Sequence, residues 1–474
     1  MARAAELSKT TLKVNKIKFN SYQKAAVKLV SEFKSRGFET YWVGGAVRDL
    51  LLKRQNFDID MATAAIPSKT KKILSQLGMH FFTVGEKFGT IVTEIRGRKI
   101  EITSFRSEQN YKDSRHPSMV RFGIKPAEDV RRRDFTINAL LFDPTENELI
   151  DHVGGLKDLK ARRLKFVGNA ATRIKEDPLR SLRAVRFATI LNFKIAQNDF
   201  NQIKKQATLI NKISGERIKQ EIDKLLDSDN FIVGLKLLDS SGLLGQIFPE
   251  LEQLKTVKQS KNYHAEGNVF KHSFLVLENL RGADLDLRWA ALLHDIGKFG
   301  SAKKTLKEGR RHISFHGHAQ IGAEMFLKIA RRLHFSKQQA QKIFYLINRH
   351  MDLRPIENIQ EKTLIRWAKE PWFIDLLKLR IADSLGAKQT DLFGRVVKKE
   401  MRDWFAVFPK IKRWQKVKSK KIVDGADVMK ILKLEPSKKV GEILEEVEIL
   451  QKQGKIKNRQ QGITFIKSLD SQSG

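Results

Sequence analysis

Two aspartates separated by a single residue are the first candidates for chemistry in this sequence. Polar and apolar residues alternate through Phe57-Asp58-Ile59-Asp60-Met61, which predicts a strand with both carboxylates on one face. Carboxylates held that close repel each other unless a cation lies between them. Oxygen-only ligands suit Mg²⁺, and a pair of such ions can activate an attacking hydroxyl and stabilise a pyrophosphate leaving group. We therefore predict that Asp58 and Asp60 bind Mg²⁺.

A pair of glycines shortly before these aspartates could hold phosphates. Gly44 and Gly45 end the apolar run Tyr41-Trp42-Val43 and precede a stretch with helical spacing. Backbone N–H groups at such a turn, near a helix N-terminus, are suited to binding a triphosphate. Either feature alone is also typical of a solvated strand or an ordinary turn. Together, in strand–turn–helix–strand order, they favour a nucleotide site.

A third candidate segment could distinguish nucleobases. In Glu176-Asp177-Pro178-Leu179-Arg180, one interpretation is purely structural, with Asp177 as the N-cap of a helix and Pro178 at its first position. Residues three apart also share a helix face, so Asp177 and Arg180 can present an acceptor beside a donor. Cytosine and adenine both offer an amino donor beside a ring-nitrogen acceptor, whereas uracil and guanine present the reverse order. Such a pair accepts C and A and leaves unpaired buried groups against U and G.

Histidines and aspartates form an ordered pattern in the second half of the chain. His272, the pair His294-Asp295 and Asp383 are widely spaced, and His316 and His318 lie between them. The segment around the pair predicts a helix that ends at glycine, with His294 and Asp295 in its last turn. Imidazoles and carboxylates that converge from separate helices suit a divalent transition metal that activates water for phosphoester hydrolysis.

The elements that must position these residues indicate an α+β protein. Residues 20–150 mix strand and helix patterns, including two strands predicted at 89–95 and 99–105 and joined by a hairpin. From about residue 156 onward, helical spacing dominates nearly to the end. We expect a small head with a mixed sheet and helices, followed by an extended all-helical body. We place the domain boundaries at 20–150, 151–260, 261–390 and 391–474, with the lysine-rich stretch 410–421 preceding the final helical module.

Composition restricts the class of partner. The 474 residues include 90 Lys and Arg against 54 Asp and Glu, a net charge of +36 spread along the chain, so a polyanion is the expected partner. The absence of cysteine excludes disulfides, thiolate metal sites and thiol catalysis. No apolar run is long enough to span a membrane, so we expect a cytoplasmic protein without a membrane partner. The oligomeric state stays open.

The head motifs resemble those of a known family. The segment Gly44 to Leu52 (GGAVRDLLL), followed by Phe57-Asp58-Ile59-Asp60, closely resembles the head of class II tRNA nucleotidyltransferases. These are the CCA-adding enzymes, with bacterial poly(A) polymerases as close relatives. The resemblance implies a nucleotidyltransferase-fold head in which Asp58 and Asp60 bind the catalytic metals, with Glu101 as a third carboxylate. It also implies that Gly44, Gly45 and Arg48 contact the nucleotide.

Further segments follow in the family's order. Residues 111–117 resemble a loop associated with the switch from CMP to AMP addition. Residues 132–140 resemble a ribose and phosphate motif, in which Arg133 can bridge phosphates while Asp134 and Asn138 suit ribose hydroxyls, although Asp134 could equally cap a helix. In this family, the segment of Asp177 and Arg180 acts as a protein template for CTP and ATP. Arg183 and Arg186 extend its basic face, and residues 214–221 match a bracing motif.

The resemblance implies template-independent addition and repair of the 3′-terminal CCA of tRNA from CTP and ATP. The pattern of His272, His294, Asp295 and Asp383 resembles the HD domain attached to some bacterial CCA-adding enzymes, which implies phosphohydrolase activity, or a shared fold without catalysis. Alternatives within the family are a poly(A) polymerase or an enzyme that adds only CC or only A. An alternative of another class is a non-catalytic RNA-binding protein.

Overall fold

The structure is a computed structural model that describes residues 10–14, 17–54, 58–111, 117–258, 267–307, 310–353, 359–387, 391–416 and 422–470. The chain forms two compact units, Met1–Pro249 and Glu250–Gly474. The predicted division into four domains stays a prediction. Among the described residues, no helix is both long enough and apolar enough to span a bilayer.

The first unit is built on an eight-stranded sheet with the order β1-β10-β9-β2-β3-β6-β5-β4. Only β3 and β6 pair in parallel within this sheet, and two further strand pairs, β7–β8 and β11–β12, lie outside it. The strands are β1 Thr10–Lys13, β2 Thr40–Val43, β3 Ile59–Thr63, β4 Phe81–Gly85, β5 Thr90–Ile95, β6 Arg98–Ser104, β7 Arg106–Tyr111, β8 Pro117–Phe122, β9 Leu141–Asp143, β10 Glu148–Asp151, β11 Arg163–Leu164 and β12 Lys194–Ile195.

Helices cover this sheet and continue beyond it in the same unit. They are α1 Ser21–Ser35, α2 Gly45–Leu51, α3 Pro67–Gln76, α4 Pro126–Arg131, α5 Gly155–Lys160, α6 Ala170–Glu176, α7 Leu179–Leu191, α8 Gln197–Lys205, α9 Gly215–Leu226, α10 Phe231–Ser240, α11 Leu243–Ile247 and α12 Pro249–Gln253, the last of which crosses into the second unit. The long helix α1 is amphipathic and buries Ala26, Leu29, Val30 and Phe33 at helical spacing.

The second unit is mainly helical. Its helices are α13 Val269–Glu278, α14 Leu285–Leu293, α15 Lys298–Ser301, α16 His318–Arg332, α17 Lys337–Arg349, α18 Glu361–Ala368, α19 Phe373–Gly386, α20 Asp391–Lys416, α21 Gly425–Leu432, α22 Lys438–Lys452 and α23 Arg459–Asp470. Helices α13, α14, α17 and α19 pack together, and α21 to α23 enclose a separate small core.

The fold class is confirmed, with local differences from the sequence prediction. The hairpin of β5 and β6 is confirmed, whereas a second hairpin, β13 Lys303–Lys307 and β14 Arg310–Ser314, interrupts the body that we predicted to be all-helical. These two strands are rich in lysine and arginine, so they lack the alternation that predicts a half-buried strand. The lysine-rich stretch begins inside α20, which runs as far as Lys416.

A close backbone contact fixes the position of the short 3₁₀ helix Thr136–Asn138. Gly155 opens α5, and a Cβ placed on it would lie 2.2 Å from the carbonyl oxygen of Thr136. That distance is far below contact between non-bonded atoms, and the atom met belongs to the backbone. Only glycine therefore allows α5 to pack against this 3₁₀ helix without a displacement.

We predict that Gly155→Ala lowers the free energy of unfolding of the first unit by about 1–3 kcal/mol, because overpacking forces the backbone apart. Lys157→Ala changes an exposed side chain in the same helix and should stay within about 0.5 kcal/mol of wild type. Chemical denaturation followed by circular dichroism measures both. Equal midpoints for the two variants would show that the Gly155 contact relaxes without cost.

Candidate active site and metal centre

The carboxylates of the head lie at the centre of the sheet. Asp60 on β3 is in register with Glu101 on β6, and both side chains line a cavity of about 890 Å³. Burial and the neighbouring Glu101 carboxylate raise the pKa of Asp60 to about 6. Asp58 is exposed and immediately precedes β3, outside the cavity lining, and its charge also raises the pKa of Asp60. This all-oxygen donor set, with a partly buried carboxylate destabilised by its neighbours, fits Mg²⁺.

The glycine turn places the backbone against these carboxylates. Gly44 has φ +69°, a conformation that favours glycine, and it links β2 to α2. A Cβ at this position would lie 3.6 Å from Asp60 Oδ2 and 3.7 Å from Arg133 Nη1. The turn, a carboxylate and a guanidinium therefore meet at one edge of the cavity.

Arg133 is held by a residue that the sequence analysis missed. Asp129 on α4 is completely buried and accepts hydrogen bonds from Arg133 Nη2 at 3.1 Å, from Arg132 Nε at 2.9 Å and from the backbone N–H of Arg106 at 3.2 Å. Although burial alone would raise the pKa of Asp129, the guanidinium groups of Arg133 and Arg132 lower it. The four-residue spacing from Asp129 to Arg133 was a signal that could have indicated this pair.

The predicted ribose and phosphate residues contact one another. Asn138 Oδ1 accepts from Arg48 Nη1 at 2.8 Å, while Asn138 Nδ2 donates to Asp134 Oδ1 at 3.1 Å. Asp134 Oδ2 accepts from Arg183 Nη2 at 2.6 Å. Burial alone would raise the pKa of Asp134, but the Arg183 guanidinium lowers it to about 2, so this carboxylate is ionised at neutral pH. All four side chains line the cavity.

The proposed base-reading residues are held by neighbouring helices. Helix α7 begins at Leu179, one residue later than predicted, and its N-cap is Pro178 rather than Asp177. Asp177 still contacts the start of the helix, since its Oδ1 accepts from the N–H of Leu179 at 3.2 Å. Asp177 Oδ2 accepts from Arg217 Nη2 on α9 at 2.9 Å. Arg180 Nη1 donates to Glu176 Oε2 at 2.7 Å. The structural and functional interpretations of Asp177 are therefore compatible.

A phenylalanine lies beneath the arginines of the cavity. The Phe187 ring has the guanidinium groups of Arg186, Arg48 and Arg183 at 4.0, 5.2 and 5.4 Å from its centroid. Arg186 also donates to Glu221 Oε2 on α9 at 2.5 Å. Aromatic contact and ion pairing together fix the direction of these long side chains.

With the exception of Asp58, every residue predicted for the head site lines this cavity. The set is Gly44, Gly45, Arg48, Asp60, Glu101, Arg133, Asp134, Asn138, Asp177, Arg180, Arg183 and Arg186. The sequence analysis missed Arg106, Arg132 and Phe187, which also line it. Of the predicted switching loop, residues 112–116 lie outside the described residues, between the paired strands β7 and β8.

The second unit brings the predicted histidines and aspartates together. His272 on α13, His294 at the end of α14 and Asp383 on α19 place their ligand atoms within 4.8 Å of one another. His272 Nε2 lies 2.8 Å from Asp383 Oδ1, and His294 Nε2 lies 3.2 Å from Asp295 Oδ2. These four residues, drawn from three helices and one turn, fit a transition metal.

Two details of this centre differ from the prediction. The His294-Asp295 pair is not in the last turn of a helix: His294 is the C-cap of α14, and Asp295 lies in the following turn. Gly297, in the same turn, packs closely against α16, and a Cβ at this position would lie 2.1 Å from the carbonyl oxygen of His318. His318 joins the centre, but His316 is exposed to solvent.

His350 completes the centre and was missed by the sequence analysis. It follows α17 and forms a second group of ligand atoms with Asp295 and His318. His350 lies three residues after the buried Ile347, in line with the apolar face of α17. This spacing was the sequence signal that could have indicated a buried histidine.

Comparisons with known proteins agree with both centres. The family model described as "Poly A polymerase head domain" matches residues 40–165, "Probable RNA and SrmB- binding site of polymerase A" matches 192–255, and "HD domain" matches 269–398. The CCA-adding enzyme of Streptococcus suis (strain 05ZYH33) is 30% identical over 450 residues, which cover 94% of this chain and 96% of that protein. The CCA-adding enzyme of Lactococcus lactis subsp. cremoris (strain SK11) is 32% identical over 436 residues, 91% and 92% of the two chains.

The solved structures agree with the sequence relatives. The crystal structure of the Bacillus stearothermophilus CCA-adding enzyme in complex with CTP superposes with a TM-score of 0.68 at 25% identity, covering 96% of this chain and 99% of that one. The chain belongs to the family of CCA-adding enzymes. This finding confirms the resemblance drawn from the head motifs.

We predict that Asp129→Asn lowers the free energy of unfolding of the first unit by about 3 kcal/mol, because two guanidinium groups lose their buried counter-charge. The exposed neighbour Glu128 provides the control, and Glu128→Gln should leave stability within about 0.5 kcal/mol. Denaturant titration at neutral pH compares them. If Asp129→Asn is as stable as the control, the carboxylate charge is not what holds Arg133 and Arg132.

Proposed function

We propose that this protein adds and repairs the 3′-terminal CCA of tRNA, using CTP and ATP and releasing pyrophosphate. The observation that carries the proposal is the composition of the 890 Å³ cavity: two carboxylates at one wall, six arginines around it and the Asp177–Arg180 pair at the start of α7. A nucleoside triphosphate needs each of these parts, because it combines phosphates, a metal partner and a base.

Asp58 and Asp60, with Glu101 beside them, are the residues that would hold Mg²⁺. When bound, Mg²⁺ would neutralise the phosphates and favour the ionised form of the attacking 3′-hydroxyl. Arg133, directed by Asp129, lies beside Asp60 and is placed to contact the triphosphate. Gly44 and Gly45 line the same cavity, so the N–H groups of their turn are candidates to bind phosphate.

Base choice is assigned to Asp177 and Arg180. A carboxylate accepts from the exocyclic amino group of C or A, and a guanidinium donates to the ring nitrogen. U and G would instead place a carbonyl oxygen against the carboxylate and an N–H group against the guanidinium. Arg217 and Glu176 hold these side chains before the base arrives. The protein can thus select C and A without a nucleic-acid template.

The RNA partner follows from charge and from the family. A net charge of +36 distributed along the chain suits the phosphates of tRNA, whose A-form stems are recognised through shape and 2′-hydroxyls rather than base sequence. The relatives named above are CCA-adding enzymes, which supports tRNA as the acceptor.

The deciding experiment incubates the protein with Mg²⁺ and a tRNA that ends at its discriminator base. Each nucleoside triphosphate is supplied alone and then in mixture, and products are resolved at single-nucleotide resolution. We expect two C additions with CTP alone and a complete CCA with CTP and ATP. Long oligo(A) on generic RNA would indicate a poly(A) polymerase, and products that stop at CC, or that need a CC end, would indicate a partial enzyme.

We predict that Asp58→Ala or Asp60→Ala abolishes addition of both C and A while tRNA binding is retained. The reason is that chemistry needs the metal carboxylates, whereas affinity for tRNA comes mainly from phosphate contacts. Glu94→Gln, at an exposed position on strand β5 of the same sheet, is the control and should keep full activity. Loss of A addition alone would contradict the assignment, and unchanged addition would favour the non-catalytic RNA-binding alternative.

A second activity is proposed for the centre in the second unit. We infer that His272, His294, Asp295 and Asp383 bind a divalent transition metal and support hydrolysis of a phosphoester. The support is the convergence of these four side chains, three of which are buried, together with the match to the HD domain family. Burial alone would lower the pKa of His294, but the neighbouring carboxylates of Asp295 and Asp383 raise it to about 10.

We predict that His294→Ala or Asp295→Ala removes hydrolysis without impairing CCA addition, since the carboxylate site and the imidazole-rich site belong to separate compact units. The assay panel is 2′,3′-cyclic nucleotides, 2′-nucleotides and a generic phosphodiester, each with Mn²⁺, Ni²⁺, Co²⁺ and Mg²⁺. A wild type that hydrolyses none of them would show that this unit keeps the fold without the catalysis.

A further inference from the structure

Three exposed apolar side chains lie at the edge of the head sheet, next to the cavity. Phe82 and Val84 on β4, the last strand of the sheet, are 51% and 95% exposed, and Phe88 follows in the short 3₁₀ helix Glu86–Phe88. Val84 and Phe88 also line the cavity. Neighbouring apolar side chains that stay exposed beside a polar cavity are typical of a surface that binds a ligand or a partner. We call Phe82, Val84 and Phe88 the edge patch.

The register of the sheet connects the edge patch to the carboxylates of the cavity. Glu101 on β6 is opposite Val92 on β5, and Val92 is opposite Phe82 on β4. Directly opposed residues face the same side of a sheet, so Phe82 lies on the face that carries Asp60 and Glu101. Two strand spacings, about 10 Å, separate the backbone of Glu101 from that of Phe82. A nucleotide whose sugar lies at Glu101 therefore reaches the edge patch with its base.

A β-bulge places Val84 at the rim of the cavity. Strand β4 has one residue more than β5 between the pairs Phe82–Val92 and Gly85–Thr90. Such an insertion redirects the side chains of the bulged strand, and Val84 lies within it. Gly85 closes the bulge, and a Cβ at this position would lie 2.9 Å from Thr90 Cβ. The edge strand therefore presents an apolar side chain at the cavity rim instead of burying it.

Two arginines lie beside the edge patch. Arg106 donates a hydrogen bond to the carbonyl oxygen of Phe88, and Arg132 Nε donates to the carbonyl oxygen of Arg106 at 3.1 Å. Both arginines also line the cavity. Aromatic side chains beside guanidinium groups suit a single-stranded nucleic acid, because the rings stack on bases while the cations contact phosphates.

The acceptor strand is the nucleic acid that this surface fits. In the proposed function, the arginines of α7 and the pair Asp177–Arg180 hold the incoming nucleoside triphosphate. The 3′-hydroxyl that attacks it must also reach the carboxylates, and the strand of Glu101 lies closer to the edge patch than the strand of Asp60. The terminal base of the acceptor changes as CCA addition proceeds. Stacking tolerates that change, because every base has a face that an aromatic ring can cover.

We propose that the edge patch stacks the 3′-terminal base of the acceptor RNA, while Arg106 and Arg132 contact its last phosphate. The inference rests on the proposed function and adds how the second substrate is held. It also separates two tasks within one cavity. Hydrogen bonds with Asp177 and Arg180 select the base that enters, whereas apolar contact holds the base already present without reading its identity.

The first test removes the ring and the base in turn. The full chain and Phe82→Ala are each given CTP, Mg²⁺ and a tRNA that ends either in a normal discriminator nucleotide or in an abasic one. We expect either change alone to lower kcat/KM for tRNA about 10-fold, as loss of one stacked base does, and both together to cost no more than one of them. KM for CTP should not change. Independent losses that multiply to about 100-fold, or no loss in Phe82→Ala, would overturn the proposal.

Two further variants separate stacking from a general effect of exposed rings. Phe82→Tyr retains an aromatic ring, so it should recover most of the kcat/KM for tRNA that Phe82→Ala loses. Phe405→Ala removes an exposed phenylalanine of the second unit and should leave the penalty for the abasic tRNA unchanged. If Phe405→Ala abolishes that penalty or Phe82→Tyr behaves like Phe82→Ala, the edge patch does not act by stacking.

A crosslinking measurement without nucleotide makes the proposal independent of catalysis. A tRNA that carries 5-iodouridine at its 3′ end is bound to the full chain and irradiated, and the crosslinked peptide is identified by mass spectrometry. We expect the peptide that contains Phe82 and Phe88, and a crosslink elsewhere, or none, would overturn the proposal. This crosslink in a protein that adds no CMP would contradict only the proposed function. CCA addition without it would contradict only the role of the edge patch.

Discussion

Repulsion between carboxylates at the centre of the sheet is the constraint on which the head depends. Asp60 and Glu101 are in register on the only parallel pair of the eight-stranded sheet, so their side chains lie on the same face. Burial and this proximity raise the pKa of Asp60, which means that the folded head holds a carboxylate in an unfavourable position. A bound divalent cation would relieve that cost. The close approach of these carboxylates is therefore unfavourable without a cation, and it is the arrangement that the proposed metal-dependent chemistry requires.

The arginines around the cavity would repel one another, and three of them are each paired with a carboxylate. Arg133, Arg183 and Arg186 each pair with a carboxylate from a different element: Asp129 on α4, Asp134 before the 3₁₀ helix and Glu221 on α9. Pairing lets several guanidinium groups share one cavity without repelling one another, and it fixes their directions before a nucleotide binds. Since little side-chain freedom remains to be lost, affinity for the triphosphate gains from this order.

The two units offer different donor atoms to a cation. The head relies on carboxylates alone, which suit Mg²⁺ and exchangeable phosphate contacts, whereas the second unit surrounds Asp295 with imidazoles that suit tighter transition-metal binding. The backbone carbonyls behind His294, His318 and His350 orient the rings from outside the centre. Lys298 Nζ lies 2.7 Å from Asp295 Oδ2, so the buried carboxylate is compensated by a lysine as well as by the imidazoles.

Short-range pattern was enough to predict the residues whose function depends on their immediate neighbours. The alternation around Asp58 and Asp60, the Gly44-Gly45 turn and the spacing from Asp177 to Arg180 are properties of a few consecutive residues. They predicted five residues of the cavity lining, and the family resemblance supplied the other predicted ones. Tertiary structure alone decided the rest. Asp129 acts through partners on other elements, Asp58 lies outside the cavity lining although it shares a segment with Asp60, and His350 meets Asp295 only because α17 packs against α14. Periodicity determines which face of an element a side chain occupies, but only packing determines which other face it meets.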